Sequence, residues 1–311
     1  MGVSDYVVAV GAANVDVQGF TYDPLIMRDS NPGRIETCLG GVSRNISENL
    51  IKLGTPVKLI TAMGQDLNGQ RIKEECESLQ IDLTHSLTVS DMNSSTYMAI
   101  MDESGDMALA LSDMSILDRL STGHLESKAA VLEAASVIVM DAGLTPEAMA
   151  YLVDRYAHKQ LFLDPVSVKK CDRMKDITGL FYCIKMNRLE AGYLAGLEIG
   201  SEDDLHLASR RLMDLGVGKC YITLGSEGVY YRNEKESGLV KAPAIKLVNA
   251  TGAGDAFTAA AVYGEIHGWT MRETACFAVA AAAVALSDRH TVSETMSTSA
   301  VRKMIKECGI K

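Results

Sequence analysis

The sequence predicts an α/β fold: a three-layer sandwich with a mostly parallel central sheet and helices on both faces, with two inserted segments as candidates for a small β-sheet lid. Three observations carry this. Short apolar runs alternate with longer amphipathic stretches from one end of the chain to the other. The runs are apolar at consecutive positions, as in strands covered on both sides. Two segments break the alternation with turn-rich, strand-like sequence. A length of 311 residues admits two domains or one large α/β domain. The reading adopted is a single domain over 1–311, with lid segments inserted at about 17–39 and 92–115.

In chain order, the expected buried strands cover residues 6–10, 57–60, 137–140, 161–163, 182–186 and 220–224. Several end at Gly, Asp or Asn. Amphipathic helices are expected over 42–53, 69–79, 146–158, 188–195 and 203–215. Strands alternating with helices make βαβ units. Residues 19–39 lack a helical period and hold Asp23-Pro24 and Ser30-Asn31-Pro32-Gly33. Residues 95–101 and 107–111 alternate around Asp102-Glu103-Ser104-Gly105-Asp106, the pattern of a β-hairpin. Both segments leave the carboxyl ends of early strands, where open α/β sheets bind ligands. They form either a small sheet over that crevice or two ordinary surface excursions. The Ala-rich stretch 274–286 is apolar almost all round and reads as a buried helix.

Composition narrows the function. The net charge is −10, which disfavours a nucleic-acid polymer or an anionic lipid surface as partner. No apolar stretch approaches the ~20 residues that span a bilayer. The first residues lack a basic region, so no signal peptide is expected, and Tyr6 breaks the myristoylation pattern begun by Gly2. Seven cysteines without a C-x-x-C pair suit a reducing cytoplasm.

The most informative string is Asn249-Ala250-Thr251-Gly252-Ala253-Gly254-Asp255-Ala256-Phe257. Gly252, Ala253 and Gly254 precede a helical run, so free N–H groups and a positive dipole end face the loop. That is an anion site suited to phosphate. Asp255 would repel a phosphate held there. The conflict resolves if Asp255 accepts the proton of an attacking hydroxyl while the loop holds the transferring phosphoryl group. A bare glycine turn with an N-capping Asp is the simpler alternative.

Other positions stand on their own chemistry. Asn14 and Asp16 sit two apart beyond the first strand and can face the same way, a natural clamp for sugar hydroxyls. Standing alone, the pair reads as a solvated strand end. Gly40 and Gly41 precede a helix whose first turn carries Asn45. Asn187 and Glu190 are three apart at a helix start, on one face. Glu190 suits a water-mediated Mg²⁺ contact, or is a favourable first-turn acid with no metal. The P-loop pattern is absent, since Gly218-Lys219 is followed by Cys220, and no G-x-G-x-x-G opens the first helix.

Together these strings resemble the ribokinase-like (PfkB) carbohydrate and nucleoside kinases over essentially the whole chain. The glycine string resembles that family's signature, and Gly40-Gly41-Val42-Ser43-Arg44-Asn45 its N-terminal glycine pair. Asn14-Val15-Asp16 resembles its sugar-binding pair, Lys185-Met186-Asn187-Arg188-Leu189-Glu190 its N-x-x-E motif, and Thr223-Leu224-Gly225-Ser226-Glu227-Gly228 its nucleotide turn. One departure is Asn249, where the family commonly has Asp beside a monovalent-cation site; this puts potassium activation in doubt.

The resemblance implies a ribokinase-like fold and ATP-dependent phosphorylation of a primary hydroxyl, with ATP as co-substrate and Mg²⁺. It implies that Asn14, Asp16, Gly40, Gly41 and Asn45 hold the sugar, that Asp255 is the base, and that the backbone at Gly252, Ala253 and Gly254 stabilises the phosphoryl charge. Asn187 and Glu190 would position metal and phosphate. Thr223, Gly225 and Gly228 would line the nucleotide site, with Ala283 and Ser287 beside the adenine. Residues 40–50, Asp164-Pro165-Val166-Ser167 with Lys169, Asn249-Ala250-Thr251, Ser30-Asn31-Pro32-Gly33 and Ser112-Asp113-Met114 resemble the pseudouridine-kinase subgroup more than ribokinase or fructokinase. This implies a nucleoside acceptor phosphorylated at its 5′-hydroxyl, with Ser30, Thr96, Asp113, Ser167 and Lys169 as candidate readers of the base. The alternatives are a kinase of another nucleoside or free sugar, and a catalytically dead sugar- or nucleotide-binding regulator. A homodimer through the lid sheet and a cytoplasmic location complete the expectation.

Overall fold

A computed structural model of the chain describes residues 6–249 and 251–311. The readings on the first five residues, and Ala250 of the glycine string, lie outside the described residues. The central sheet has eight strands in the spatial order Ser237–Val240, Val229–Asn233, Lys219–Thr223, Cys183–Asn187, Gln160–Asp164, Val137–Asp141, Val7–Val10, Val57–Ile60. The six from Lys219–Thr223 to Val57–Ile60 are parallel. The first two add an antiparallel edge that the sequence reading did not anticipate. Val7–Val10 and Val137–Asp141 are buried at every position, because helices cover both faces. One apolar cluster fills each side of the sheet, giving three layers. The Ala-rich helix runs from Met271 to Leu286 and packs on the helix Ala253–Ile266, close contact that small side chains permit.

A second sheet of four strands, Gly33–Gly40, Asn14–Thr21, Thr96–Met101 and Met107–Asp113 in spatial order, forms the lid. The hairpin expected around Gly105 is present, with that glycine at φ 85° in the turn. Asn14 and Asp16 therefore do not trail off the first strand; they open a lid strand of their own. Paired residues share a face of a sheet. Val15 pairs with Leu39 and Thr96, and Thr96 pairs with Asp113. Asp16 pairs with Cys38 and Tyr97, and Tyr97 pairs with Ser112. Asp16 thus looks out from one face with Tyr97 and Ser112, while Thr96 and Asp113 lie on the other. That other face also carries Ile35, Met98, Leu109 and Leu111, all exposed.

No helix among the described residues is long and apolar enough to cross a membrane.

Candidate active site

Asp141, Asp164, Asn187 and Thr223 all end parallel strands of the central sheet, at its carboxyl edge. Asp141 is fully buried and is satisfied four times over. It accepts from the N–H of Ala12 at 2.8 Å, the N–H and hydroxyl of Ser43 at 3.2 and 2.6 Å, and the N–H of Gly143 at 2.7 Å. A single carboxylate therefore ties the loop after the first strand to the start of the helix Val42–Lys52.

The glycine string folds as a turn that leads directly into a helix start. Gly252 caps the helix Ala253–Ile266 at φ 82°, a left-handed conformation that costs Gly least. Asp255 is the third helical residue. Its Oδ2 accepts from Asn45 Nδ2 at 2.8 Å, joining two helices 210 residues apart in sequence. Beneath the loop lies Lys185, its Nζ 3.0 Å from Asp164 Oδ2 and buried. A Cβ on Gly254 would sit 2.7 Å from that ammonium, so the glycine lets backbone and cation approach. Asp164 Oδ2 also accepts from Thr258 Oγ1 at 3.0 Å. Its Oδ1 accepts from the N–H of Val166, a β-branched residue held at φ 68°, where strain is expected. Burial foremost, then the Asp164 charge, push the Asp255 carboxyl up to about 7, against the Asn45 hydrogen bond and the Lys185 charge. A carboxylate so placed can take a proton near neutrality.

On the acceptor side, Asn14 Nδ2 donates to Asp16 Oδ1 at 2.5 Å. Burial raises the Asp16 carboxyl, while Asn14 and the Arg44 charge oppose the rise. A side chain at Gly40 would collide with the Asp16 carboxylate, and one at Gly41, φ 97°, with the Ala12 carbonyl. Asn14, Asp16, Gly40, Gly41 and Asn45 are thus joined in one patch that reaches the Asp255 carboxylate.

Asn187 and Glu190 form a reciprocal capping box. The Asn187 N–H donates to Glu190 Oε2 at 2.8 Å, and the Glu190 N–H to Asn187 Oδ1 at 2.9 Å. The structural role foreseen for Glu190 is therefore real. Its carboxyl is still raised, first by burial and further by the Asp164 charge.

A cavity of about 660 Å³ opens beside the loop. Thr223, Gly225, Gly228 and Ala283, expected around the nucleotide, line it together with Ala253 and Gly254 of the loop. Gly225 and Gly228, at φ 63° and 109°, turn the chain along one wall. Ser287 is not part of the lining: it is exposed and its hydroxyl returns to the Ala283 carbonyl at 2.8 Å. Ala242, Pro243, Ala244, Ile245 and Leu247, together with Val279, also line the cavity; they carry no motif, and the sequence reading does not single them out.

The candidate base readers are scattered. Thr96 faces away from Asp16 and accepts from Asn68 Nδ2 at 3.1 Å. Asp113, on the same face, is exposed and takes the Ser115 N–H and hydroxyl at 3.2 and 2.7 Å. Ser30 lies exposed in the loop between the first two lid strands, and Lys169 is exposed. Ser167, half-buried two residues beyond Pro165 and close after Asp164, stays near the crevice. The sequence reading passed over Lys185, Asp164 and Arg44 as individual residues, and Tyr97 and Ser112 on the crevice face of the lid.

Comparison with known proteins agrees with this geometry. The model of the pfkB family carbohydrate kinases matches residues 4–298. A pseudouridine kinase of Escherichia coli strain K12 is 33% identical over 99% of both chains. A carbohydrate kinase from Agrobacterium tumefaciens superposes with a TM-score of 0.85, at 26% identity and 97% coverage of each chain. An Arabidopsis thaliana ribokinase complexed with ribose and ATP superposes at 0.86 over 97% of this chain and 99% of that one, at 19% identity. The anion loop, the acid at its helix start and the ribokinase-like architecture all agree with one assignment: the chain belongs to the pfkB family of carbohydrate kinases.

Proposed function

We propose that this ATP-dependent sugar or nucleoside kinase acts on pseudouridine, transferring the γ-phosphoryl group of ATP to the 5′-hydroxyl and releasing pseudouridine 5′-phosphate and ADP. The observation that carries the chemistry is Asp255 at the helix start, beside the loop N–H groups and linked through Asn45 to the Asn14–Asp16 patch. The acceptor's ribose hydroxyls are held by Asn14, Asp16, Asn45 and the backbone at Gly40 and Gly41. Asp255 takes the 5′-hydroxyl proton as the oxygen attacks. The N–H groups around Gly252, Ala253 and Gly254, with Lys185 beneath, stabilise charge on the transferring group. ATP lies in the cavity lined by Thr223, Gly225, Gly228 and Ala283. A catalytically dead regulator would have no need of a base at that loop.

The residues present fit Mg²⁺. Buried Asp164 and Glu190 and half-buried Asp255 outnumber the cation Lys185 beside them; loss of solvent foremost, and then the Asp164 charge, raise Asp255 and Glu190. No cluster of three or more His, Cys, Asp or Glu able to cage a metal occurs among the described residues. Mg²⁺ keeps most of its waters and takes oxygens from the nucleotide, so it does not require a full protein cage. Glu190, with Asn187 beside it, would hold it through water. Bound there, the ion would neutralise phosphate charge.

Support for pseudouridine comes from the similarity over 99% of both chains; the lid face that carries Asp16 is the surface proposed to meet the base. Tyr97 and Ser112 on that face, with Ser167 on the crevice floor, replace Thr96 and Asp113 as the groups proposed to meet the base. The exposed Ile35, Met98, Leu109 and Leu111 on the opposite face are the proposed homodimer contact. A cytoplasmic enzyme is consistent with this substrate. The test is a panel of pseudouridine, uridine, purine nucleosides, ribose and fructose with ATP and Mg²⁺, followed by ADP release. Pseudouridine should lead; ribose or a purine nucleoside in front would leave a kinase with another substrate.

A further inference from the structure

The helix Val42–Lys52 buries Ser43, Arg44, Asn45, Ser47, Glu48 and Asn49, positions where a core-facing helix would ordinarily carry apolar side chains. Burying an ion pair adds little stability compared with apolar packing, so this row invites a functional explanation. Arg44 is 5% exposed and its Nη2 lies 2.6 Å from Glu48 Oε2. Glu48 is held in turn by Lys52 Nζ at 2.9 Å, and Lys52 also donates to the Ser293 carbonyl at 2.9 Å. The other guanidinium arm, Nη1, donates to Asn45 Oδ1 at 3.0 Å.

A carboxamide is nearly symmetric in shape, so packing alone does not decide which end faces a neighbour. Asn45 must present its NH₂ to Asp255; turned over, it would set a carbonyl oxygen against a carboxylate. We propose that Arg44 is a positioning residue for the base, locking the Asn45 carboxamide so that Nδ2 and not Oδ1 meets Asp255. Glu48 anchors the lock from one helical turn away, and Lys52 holds Glu48 from the turn beyond. The same guanidinium charge is felt by Asp16, so a single buried cation serves both the acceptor patch and the base.

The proposal rests on Asp255 being the base. That carboxylate is faced by Asn45 from this helix, by Asp164 and Asp141 from two strand ends, and by Lys185 from the middle of the strand Cys183–Asn187. Only the Asn45 donor depends on Arg44. The experiment is the pH profile of kcat/KM for the wild type, Arg44→Lys, Asn45→Ala and the double variant. Lysine keeps a cation opposite Glu48 but has no second nitrogen for Asn45. Arg44→Lys should move the acid limb up by about one pH unit, the worth of one hydrogen bond to a charged group. Asn45→Ala should move it similarly, and the double variant no further than Asn45→Ala. Glu48→Gln leaves Arg44 present but unanchored and should move the limb the same way by less; it carries the test should Arg44→Lys fold poorly. An unmoved limb in Arg44→Lys and Glu48→Gln, or shifts that add in the double variant, would overturn the lock. Asp255→Asn separates the two readings. Retained turnover there defeats both, whereas an inactive Asp255→Asn with an unmoved limb in Arg44→Lys defeats the Arg44 role alone.

Discussion

The crevice floor and the lid are built on opposite physical terms. On the floor, Asp141, Asp164, Lys185 and Glu190 are buried and each is hydrogen-bonded or paired. The lid is a four-stranded sheet whose strand Met107–Asp113 is exposed at six of seven positions. The floor gains fixed geometry and strong, unscreened electrostatics, which proton and phosphoryl transfer require. The lid has freedom to vary its surface, which suits choice of acceptor. Changes on the floor should therefore cost turnover, and changes in the lid should cost discrimination.

The sharpest test of this division is Asp255→Asn. An amide cannot accept the hydroxyl proton, and losing a general base typically costs ~10²–10⁴-fold. We expect kcat to fall by that factor while ATP still binds, as isothermal titration would show. In the wild type, kcat/KM should rise with pH around the Asp255 value of about 7. Stability follows the opposite sense. The folded state holds this proton more tightly than the unfolded chain, so the group's contribution is lost as pH climbs through 7. Asp255→Asn should then melt above the wild type at pH 8, with the gap narrowing toward pH 5. Near-wild-type kcat in the variant would remove Asp255 from the base role.

Asp16→Ala comes next, at the seam between the two regions. Hydrogen bonds to a charged acceptor are worth roughly 1.5–3 kcal/mol each, so loss of one should cost about 10–150-fold in acceptor kcat/KM. Most of this should appear as acceptor KM, with ATP KM little changed. An equal rise in both constants would place Asp16 away from the sugar.

The same division explains how much was legible in the sequence. The glycine string, the glycine pair and the turn at Gly225–Gly228 are short strings whose proposed roles follow from local backbone geometry, as at Gly252 and Gly41. Lys185, Asp164 and Arg44 act through partners far along the chain or through one arm of a fork, and periodicity says nothing about either. The lid hairpin was visible, but its register was not. A strand's side chains alternate faces, so the pairing of Val15 with Thr96 decides that Thr96 looks away from Asp16 and Tyr97 toward it. Similarly, Ser287 was placed beside the nucleotide by its helix, and its own back-bond to Ala283 takes it out.

Discrimination by the lid and the crevice edge is expected to be more modest. Pseudouridine carries an N1–H that uridine lacks, because its base is joined to ribose through carbon. An acceptor built against that N–H is left unpaired when uridine binds, at ~1–3 kcal/mol. We expect kcat/KM for pseudouridine at least ~10-fold above uridine. Replacing Tyr97 or Ser112 should narrow that ratio with kcat for pseudouridine largely kept, whereas a ratio untouched by both would move base recognition off the lid.

The smallest expected effect concerns potassium, and it tests whether the floor is self-sufficient. The resemblance places a monovalent-cation site beside residue 249, where this chain has a neutral amide. The Asn249 Oδ1 accepts from the N–H and hydroxyl of Thr251 at 2.9 and 2.5 Å, which ties off the entry to the anion loop. Its Nδ2 donates to the Arg289 carbonyl at 3.0 Å. A cation drawn to that carbonyl would meet the positive end of the amide, and no carboxylate at 249 would offset its lost hydration. The loop is thus held by hydrogen bonds that need no ion. Rates measured with K⁺, Na⁺ or Tris as the sole monovalent cation should agree within about twofold, since less than ~0.5 kcal/mol separates such rates. Asn249→Asp restores an anion and should introduce a preference for K⁺. Strong K⁺ activation of the wild type would mean that the anion loop depends on an ion despite its own hydrogen bonds, and the floor would lose the independence assigned to it.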